Sequence, residues 1–416
     1  MPAESTSTST RGGPVVPEHV LAELDRRLAP VDAARLAAFP GEPSSRQPVH
    51  TCYVPADAVV PGLTGRWGAA ALAALDEHGL PDLGLDAALV EQVLPRVRAK
   101  LATEPVEDLR VDAEDGYRGS PDAEDGDVTA AAAVLAAEPA LPLSLGVRAK
   151  SLEGPTRHRG VRSLDLFLTG LAATGRERAV VTLPKVTAVE QVAAFLPVLD
   201  ALEAATGLAL DLELQVETPQ AVLGADGTTL LARMLHAGAG RVTGLHFGTY
   251  DYSASLGIAA AHQSSDHPAA DHAKLAMQVA VAGTGARAVD GSTNVLPVGG
   301  TPEVHAAWRL HAGLVRRALE RGLYQGWDLH PAQLVTRYVA TYAFFRAALP
   351  AAAARLSAYV GRVEGGVLDE PATARALATV VLRGLDCGAL DVAEVEAATG
   401  LDRTVLDGLA GRRGPR

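Results

Sequence analysis

The chain has 416 residues, of which 48% are hydrophobic and 21% are charged. This is the composition of an ordinary globular protein with enough apolar material for a core. The formal net charge of -12 argues against sequence-independent binding to nucleic acid, which requires a concentrated basic surface. Small anionic ligands remain possible, because a local arginine or a metal ion can outweigh the net charge.

The cysteine content and the apolar stretches indicate in which cellular environment the protein works. Cys52 and Cys387 belong to no CxxC or Cys/His spacing, so neither a disulfide framework nor a structural zinc site is predicted. The N-terminal MPAESTSTSTRGGPVVP is polar and lacks a signal-peptide pattern, which predicts a disordered lead. The most apolar long stretch contains Arg346, Pro350 and Arg355, which disfavours a membrane span. We expect a soluble cytoplasmic protein.

Eight short apolar runs recur along the chain, each ending in polar or glycine residues and followed by alanine-rich sequence of helical period. They are residues 48–56, 108–116, 141–150, 179–186, 210–219, 242–252, 286–292 and 323–331. Helix candidates such as EQVAAFLPVLDALEAATG lie between them and end in glycine, which is typical of a helix C-terminus. The pattern predicts an α/β fold, a (β/α)8 TIM barrel. An open doubly wound sheet is the alternative, but no GxGxxG follows the first run.

We expect three regions in the chain. Residues 1–45 would form the disordered lead and an N-terminal helical extension, and residues 46–335 the barrel. Residues 336–416 would form a C-terminal helical extension, in which VEGGVLDEP predicts a hinge or linker.

Charged side chains stand at the ends of seven of the eight runs, although the strand interiors otherwise look apolar. In an eightfold barrel the reacting groups project from the C-terminal ends of the strands, so we expect one shared site. In chain order, the side chains at these ends are Asp112, Glu114, Asp115, Arg148, Lys150, Lys185, Glu217, Asp251, Asp290, Asp328 and His330.

The letters DAEDG occur twice, ten residues apart. The first copy continues directly from a strand, whose period of two places Asp112 and Glu114 on one face at the barrel mouth. A solvated acidic loop is the alternative interpretation. The second copy precedes DVTAAAAVLAAE, so Asp122, Glu124 and Asp125 are predicted at a helix N-terminus, where carboxylates cap free amides. We therefore expect a chemical role for the first copy and a structural role for the second.

Glu217 and Asp251 are the candidate metal ligands, since they follow adjacent strands and their side chains can converge. Two carboxylates completed by water and substrate oxygens suit Mg²⁺ or Mn²⁺ better than zinc, and a salt bridge is the alternative. Arg148 could fork onto a substrate carboxylate or a developing enolate oxygen, or it could pair with the acidic cluster. Lys185 is expected to pair with the same acids, with a Schiff-base role as the weaker alternative.

The histidines are open to several interpretations. His330, in DLHPAQ, could work with Asp328 as acid and base or could buttress the last loop. His50 and His246 lie inside predicted strands and are interpreted as core residues. A loop also carries His262, His267 and His272; it lacks a matching fourth zinc ligand, so a mobile lid or a subunit contact is favoured.

Seven motifs in order, DAEDG, GVRAK, LPKV, VETP, FGTYD, AVDG and DLHPAQ, resemble the citrate lyase beta-subunit and 2-oxo acid aldolase family, also called HpcH/HpaI. The resemblance covers about residues 46 to 335. It implies a (β/α)8 barrel, often trimeric or hexameric, and a Mg²⁺ held at Glu217 and Asp251. It also implies a catalytic role for Arg148 and for the acids of the first DAEDG, which would hold metal-bound waters or move protons. Substrate binding is assigned to Arg148, Lys185, Asp290 and Gly291.

The sequence departs from that family at RQPVHTCYVPAD, where RSxLFVPG is usual, and at AEDGY, where LEDAV is usual. These departures leave the substrate open. Malate synthases share a DxED cluster on a related barrel, so condensation chemistry is also conceivable.

The predicted reaction is reversible carbon–carbon cleavage of a 2-oxo or 2-hydroxy acid, in which Mg²⁺ acts as a Lewis acid for the enolate. Arg148 would stabilise the same charge, a contact typically worth about 3 kcal/mol of barrier, and the acidic cluster would transfer the proton, with His330 as the reserve base. A CoA-thioester lyase of the citryl or malyl type is one alternative, with Arg157, Arg159 and Arg162 lining a nucleotide groove. The other is an accessory beta-like subunit of a lyase complex.

Overall fold

The structure, a computed structural model, describes residues 15–361 and 370–412. The chain divides into two compact units, residues 1–40 and residues 41–416. The described part of the first unit contains helix α1 (Glu18–Ala38). Most of the predicted disordered lead and most of VEGGVLDEP lie outside the described residues.

The second unit is built on eight parallel strands, one at each predicted run, although β4 and β5 each begin one residue before theirs. They are β1 (His50–Pro55), β2 (Asp108–Asp112), β3 (Ser144–Arg148), β4 (Arg178–Leu183), β5 (Ala209–Val216), β6 (Val242–Phe247), β7 (Arg287–Val289) and β8 (Gly326–Asp328). Their hydrogen-bonded order is β7-β6-β5-β4-β3-β2-β1-β8. Across the remaining seam, the backbone N–H of Asp290 donates to the carbonyl of Gln325 at 2.9 Å. The strands thus form the nearly closed (β/α)8 TIM barrel that the sequence predicts.

Helices alternate with these strands and continue beyond the last one. Those before the end of the barrel are α2 (Leu63–His78), α3 (Ala87–Thr103), α4 (Glu124–Ala136), α5 (Arg157–Ala172), α6 (Val189–Thr206), α7 (Pro219–Val222), α8 (Leu231–Ala237), α9 (Thr249–Ser255), α10 (Pro268–Val281) and α11 (Thr301–Glu320). After β8 come α12 (Gln333–Gly361), α13 (Pro371–Asp386), α14 (Val392–Thr399) and α15 (Arg403–Ala410). The predicted N-terminal and C-terminal helical extensions are both present.

The C-terminal helices have a small apolar core of their own. Leu356 of α12 packs in this core with Leu382 of α13 and Leu406 of α15, and all three are fully buried. Within residues 15–361 and 370–412, no helix combines the length and hydropathy that a bilayer span requires.

The interior of the barrel is more polar than we expected from the apolar runs. Arg110 of β2 is fully buried and its guanidinium lies 2.8 Å from a carboxylate oxygen of Asp108 and 2.8 Å from one of Glu213. His246 Nε2 lies 3.2 Å from the same Glu213 carboxylate. We call these four residues the interior charge cluster. Burial raises the pKa of Glu213, but Arg110 and His246 outweigh it and hold this pKa well below its ordinary value.

Removing the cation of the interior charge cluster should destabilise the fold strongly. Arg110→Met leaves the carboxylates of Asp108 and Glu213 buried without their partner, and breaking a buried pair in this way typically costs roughly 3–5 kcal/mol. Urea unfolding followed by circular dichroism measures the loss. Arg178→Met is the matched control, because Arg178 pairs with Asp211 at 2.6 Å while 64% of its side chain is exposed, and such surface pairs contribute at most about 1 kcal/mol. Equal midpoints for the two variants would contradict the importance of the cluster.

Candidate active site

Predicted site residues that end or follow five consecutive strands, β2 to β6, gather at the C-terminal rim of the barrel. Asp112 and Arg148 end β2 and β3 and are register partners across the sheet. Lys185 and Glu217 follow β4 and β5, and Asp251 lies in the first turn of α9, just after β6. Because parallel strands present their C-terminal ends to one face of a barrel, consecutive strands place these side chains next to one another.

Arg148 is clamped in place by Asp112. Its Nε donates to Asp112 Oδ1 at 2.8 Å and its Nη2 to Oδ2 at 2.5 Å, so the pair is bidentate. The same carboxylate accepts the backbone N–H groups of Glu114 and Gly116 at 3.0 and 2.9 Å. The acceptor capacity of Asp112 is therefore used, which favours a positioning role for Asp112 over a role in proton transfer. The ion pair that the sequence left as an alternative for Arg148 is present.

The face of the Arg148 guanidinium rests on two aromatic rings that sequence reasoning missed. Its Cζ lies 4.9 Å from the ring centroid of Tyr53 and 5.8 Å from that of Trp327, and the two rings are 4.4 Å apart. A cation over a ring face is attracted by the ring quadrupole. The only sequence signal was an aromatic residue within the first and the last strand, which is ordinary for a strand.

The outer edge of the guanidinium faces the rest of the rim. Nη1 of Arg148 donates to Gln215 Oε1 at 3.2 Å and lies 3.6 Å from Glu114 Oε2. Gln215 in turn donates a short hydrogen bond to Glu217. Arg148 is thus connected through one amide side chain to the buried carboxyl of Glu217.

Lys185 links the acids of the rim. Its backbone N–H donates to Glu217 Oε1 at 2.7 Å, while its Nζ donates to Glu114 at 2.7 Å and to Asp115 at 2.6 Å. Nζ also lies 3.4 Å from Asp251 Oδ2. Burial lowers the pKa of the Lys185 ammonium, but Glu114 and Asp115 outweigh it and the pKa is raised well above its ordinary value. A permanently charged ammonium fits ion pairing and disfavours the Schiff-base alternative.

The backbone of Lys185 is in the left-handed region, with a φ of 53°. A non-glycine residue there carries strain of order 1–3 kcal/mol, and such strain concentrates at functional sites. At Lys185 the strained conformation accompanies the bond from its N–H to Glu217 and the reach of its side chain to Glu114.

Glu217 is the most unusual acid of the rim. It is 1% exposed, and within the described chain no lysine, arginine or histidine lies within ion-pair distance of it. Burial raises the pKa of Glu217 to about 8. A buried carboxyl in this state lacks a compensating cation.

Two carboxylates of the rim have the oxygen-donor chemistry that a divalent cation of the magnesium type prefers. Across residues 15–361 and 370–412, no three histidine, cysteine or acidic side chains gather as a metal cluster, so the chain offers Glu217 and Asp251. Mg²⁺ is commonly held by one or two carboxylates, with water and substrate oxygens as its other ligands. Glu217 lacks a cationic contact, whereas Asp251 shares the Lys185 ammonium at 3.4 Å.

Asp290 and Gly291 make contacts that stabilise the packing of the protein. Asp290 Oδ1 accepts from Ser265 Oγ at 2.6 Å and from Lys274 Nζ at 2.9 Å, so a buried lysine neutralises it. A Cβ on Gly291 would lie 2.1 Å from Thr249 Oγ1, which explains a residue without a side chain there. The substrate-binding role of Asp290 and Gly291 stays a prediction. The contacts described for them form without a bound substrate.

His330 and Asp328 do not pair with each other. Asp328 accepts instead from His50 Nδ1 at 3.0 Å and from Arg337 Nη2 at 3.0 Å, and His311 Nε2 lies 3.1 Å away. Although burial raises the pKa of Asp328, Arg337 outweighs it and holds this pKa well below its ordinary value. The acid–base pair was therefore the wrong alternative of the two, and Asp328 anchors the end of β8.

His330 itself stays a candidate base. Its Nδ1 accepts the backbone N–H of Ala332 at 3.2 Å, and burial lowers its pKa. The ring is therefore neutral at physiological pH and able to accept a proton.

The second DAEDG lies at the start of α4, as predicted, but its acids bind cations rather than helix amides. Glu124 is buried between Lys150 Nζ at 2.8 Å and Arg159 Nε at 3.2 Å. Asp125 pairs with Arg162 at 2.6 Å and with Arg159 at 3.1 Å, and the N-terminus of α4 has no side-chain cap. The acids favour the helix dipole, yet their main role is to tie α4 to α5.

The three histidines of the loop after β6 are separated. His262 lies in a short 3-10 turn, and His267 caps α10 by accepting the backbone N–H of Ala269 at 3.1 Å. His272 lies within α10. They belong to no metal cluster in the described residues.

The fold and the rim define a (β/α)8-barrel protein with a clamped arginine and convergent carboxylates. The chain belongs to the family described as "Domain of unknown function (DUF6986)", which matches residues 28–414. A comparison with curated proteins found no match.

Solved structures of similar fold include a malate synthase from Haloferax volcanii. It is 14% identical over 72% of this chain and 76% of that chain, with a TM-score of 0.51. A citrate lyase beta subunit from M. tuberculosis, complexed with oxaloacetate and magnesium, is 19% identical over 72% of this chain and 98% of that chain, with a TM-score of 0.43. The likeness to the malate synthase is a likeness of fold.

Proposed function

We propose that this protein is a Mg²⁺-dependent carbon–carbon lyase of the aldolase type, which cleaves or forms a 2-oxo or 2-hydroxy carboxylic acid. One observation carries the proposal. The buried Glu217 has a pKa raised to about 8 and no cationic contact within the described chain, and it is one side chain away from the clamped Arg148.

The division of roles follows from the contacts. Bound between Glu217 and Asp251, Mg²⁺ would supply Lewis-acid polarisation of the carboxylate and adjacent oxygen of the substrate. Arg148 presents Nη1 to the rim while Asp112 holds its other edge. A guanidinium fixed in this way stabilises the negative charge that develops on the enolate oxygen without rearranging as the charge forms.

Proton transfer needs a base and an acid. In the cleavage direction a base takes the proton of the hydroxyl group on the departing aldehyde half, the electron pair of the broken bond forms the enolate, and an acid returns a proton to its carbon. Burial raises the pKa of Glu114, which favours Glu114 as the carboxyl that holds a proton. Burial also raises the pKa of Asp115, but the hydrogen bond from Lys185 outweighs it and lowers this pKa, so Asp115 stays ionised. His330 is the reserve base.

The CoA-dependent alternative has less support. Arg159 and Arg162 are paired with the second DAEDG, and Arg157 donates to the carbonyl of Leu152 at 3.2 Å. The groove that these arginines would line therefore competes with existing contacts. A homo-oligomer, trimer or hexamer, and a cytoplasmic location complete the proposal.

Deuterium exchange tests the reaction. The purified chain is incubated in D₂O with pyruvate and Mg²⁺ or EDTA, and the methyl signal is followed by proton NMR. We expect exchange with Mg²⁺ and none with EDTA, because enolate formation exchanges the methyl protons. Exchange of acetyl-CoA alone would favour the thioester lyase, and activity of the isolated chain would oppose an accessory subunit. No exchange of either compound would contradict the proposed function.

A further inference from the structure

A polar cavity lies at the end of the barrel away from the rim. Its volume is about 190 Å³, and its lining includes Glu42, Arg287, Tyr324, Arg383 and Arg412. Arg287 is the first residue of β7 and Tyr324 precedes β8. The cavity is therefore at the N-terminal ends of these strands, whereas the candidate active site is at the C-terminal ends.

The lining of this cavity carries an excess of positive charge. Three arginines face one carboxylate, that of Glu42. Arg383 pairs with Glu42 at 3.2 Å, and Arg412 pairs with Asp386 at 2.8 Å. Arg287 has no carboxylate within ion-pair distance in the described part of the chain. One arginine of the lining, Arg287, therefore lacks a negatively charged partner.

Arg287 has N–H groups that form no hydrogen bond within the described chain. Its hydrogen bonds within the described chain all come from Nη2, which reaches the carbonyl and hydroxyl of Ser45 at 3.2 Å each and the carbonyl of Arg46 at 3.4 Å. Burial and the neighbouring Arg383 lower the pKa of Arg287 to about 10. An anion in the cavity would relieve both effects, since it would pair with the charge and offset the repulsion.

Two further guanidinium nitrogens nearby have no acceptor. The Nε atoms of Arg383 and Arg412 are buried and without a hydrogen-bond partner among the described residues. Buried donors are normally satisfied, and each exception calls for an explanation such as a ligand.

We propose that this cavity binds a small phosphate-bearing anion at a site separate from the candidate active site. A phosphate offers several strong acceptor oxygens and nearly two negative charges, and the planar fork of arginine matches it bidentately. The cavity has room for a phosphate group with a short organic part. The ligand is either inorganic phosphate or a small phosphate monoester, and its binding does not depend on the reaction proposed above.

Isothermal titration calorimetry on the full-length protein tests the site, with inorganic phosphate and glycerol phosphate as ligands at low ionic strength. We expect both to bind the wild type at one site. Arg287→Gln should weaken binding by roughly 10-fold or more, because it removes charge-assisted hydrogen bonds. Arg287→Lys keeps the charge without the fork and should weaken it less, which also covers a folding defect in the glutamine variant. If glycerol phosphate binds more tightly than inorganic phosphate, the cavity also contacts the organic part of the ligand.

Two controls locate the bound anion. Arg233→Gln changes a half-exposed arginine of α8 and should bind phosphate as the wild type does. Arg148→Gln removes the guanidinium of the rim and should leave phosphate binding unchanged. The inference is overturned if the wild type fails to bind millimolar phosphate, if both Arg287 variants bind like the wild type, or if Arg148→Gln abolishes binding.

Discussion

Replacing Glu217 with glutamine is expected to abolish Mg²⁺-dependent exchange of the pyruvate methyl protons and, at the same time, to stabilise the fold at alkaline pH. The first effect follows because the neutral amide is a poor ligand for the cation. The second follows because the pKa of Glu217 is raised from 4.5 to about 8 in the folded protein, so burying the ionised form opposes folding.

The sign of the pH dependence is fixed by the direction of this shift. Below pH 4.5 the carboxyl is protonated in the folded and the unfolded chain alike, and the variant and the wild type should be equally stable. Between pH 4.5 and 8 the unfolded chain loses its proton first, so the wild type loses stability relative to the variant. Above pH 8 the difference should level off at roughly 4–5 kcal/mol at most. Urea unfolding across this pH range measures it.

Asp251→Asn is the matched control for Glu217→Gln. Its side chain is 45% exposed, so losing the charge should remove the activity without the large alkaline stabilisation. Full exchange activity in either variant would remove that residue from the metal site. A Glu217→Gln variant whose relative stability stays constant with pH would contradict the raised pKa.

Arg148→Lys should lower kcat of the proposed lyase by about 100- to 1000-fold, the usual cost of losing one preorganised donor at a developing oxyanion. A lysine is a single point of charge and cannot hold both oxygens of Asp112 while presenting a donor to the rim. Steady-state kinetics on the aldol substrate identified by the exchange assay measures the change.

Asp112→Asn separates positioning from chemistry. The amide keeps the shape of the clamp but removes its charge, so we expect a smaller loss of kcat than in Arg148→Lys and an unchanged dependence on Mg²⁺. Wild-type kcat in Arg148→Lys would exclude the arginine from charge stabilisation. A larger loss in Asp112→Asn than in Arg148→Lys would give Asp112 a direct part in the reaction.

The fold was predictable because each strand has a recognisable local sequence pattern. Each of the eight apolar runs overlaps one strand, since strand formation here depends on short segments bounded by turn residues. The interior of the barrel was not predictable in the same way. Arg110 in DLRVD shares a face with Asp112, but its ion-pair partner Glu213 lies more than a hundred residues away, and the sequence alone does not place the two opposite each other.

The candidate site was partly predictable for the same reason. The rule that strand ends meet at one rim located Arg148, Lys185 and Glu217 correctly relative to one another. The rule could not separate them from Asp290 and Asp328, which also end strands. These two acids are neutralised by Lys274 of α10, the helix before β7, and by Arg337 of α12, the helix after β8. The directions of both side chains depend on packing.

The interior charge cluster also constrains how this family can change over time. Loss of Arg110 alone leaves Asp108 and Glu213 without the guanidinium they share, and loss of Glu213 alone removes the carboxylate that pairs with His246 and one of the two that pair with Arg110. Single substitutions are therefore costly, whereas joint replacement by apolar residues is often neutral or favourable. We expect homologous chains either to keep all four residues or to replace them jointly, so that these positions covary among homologous sequences.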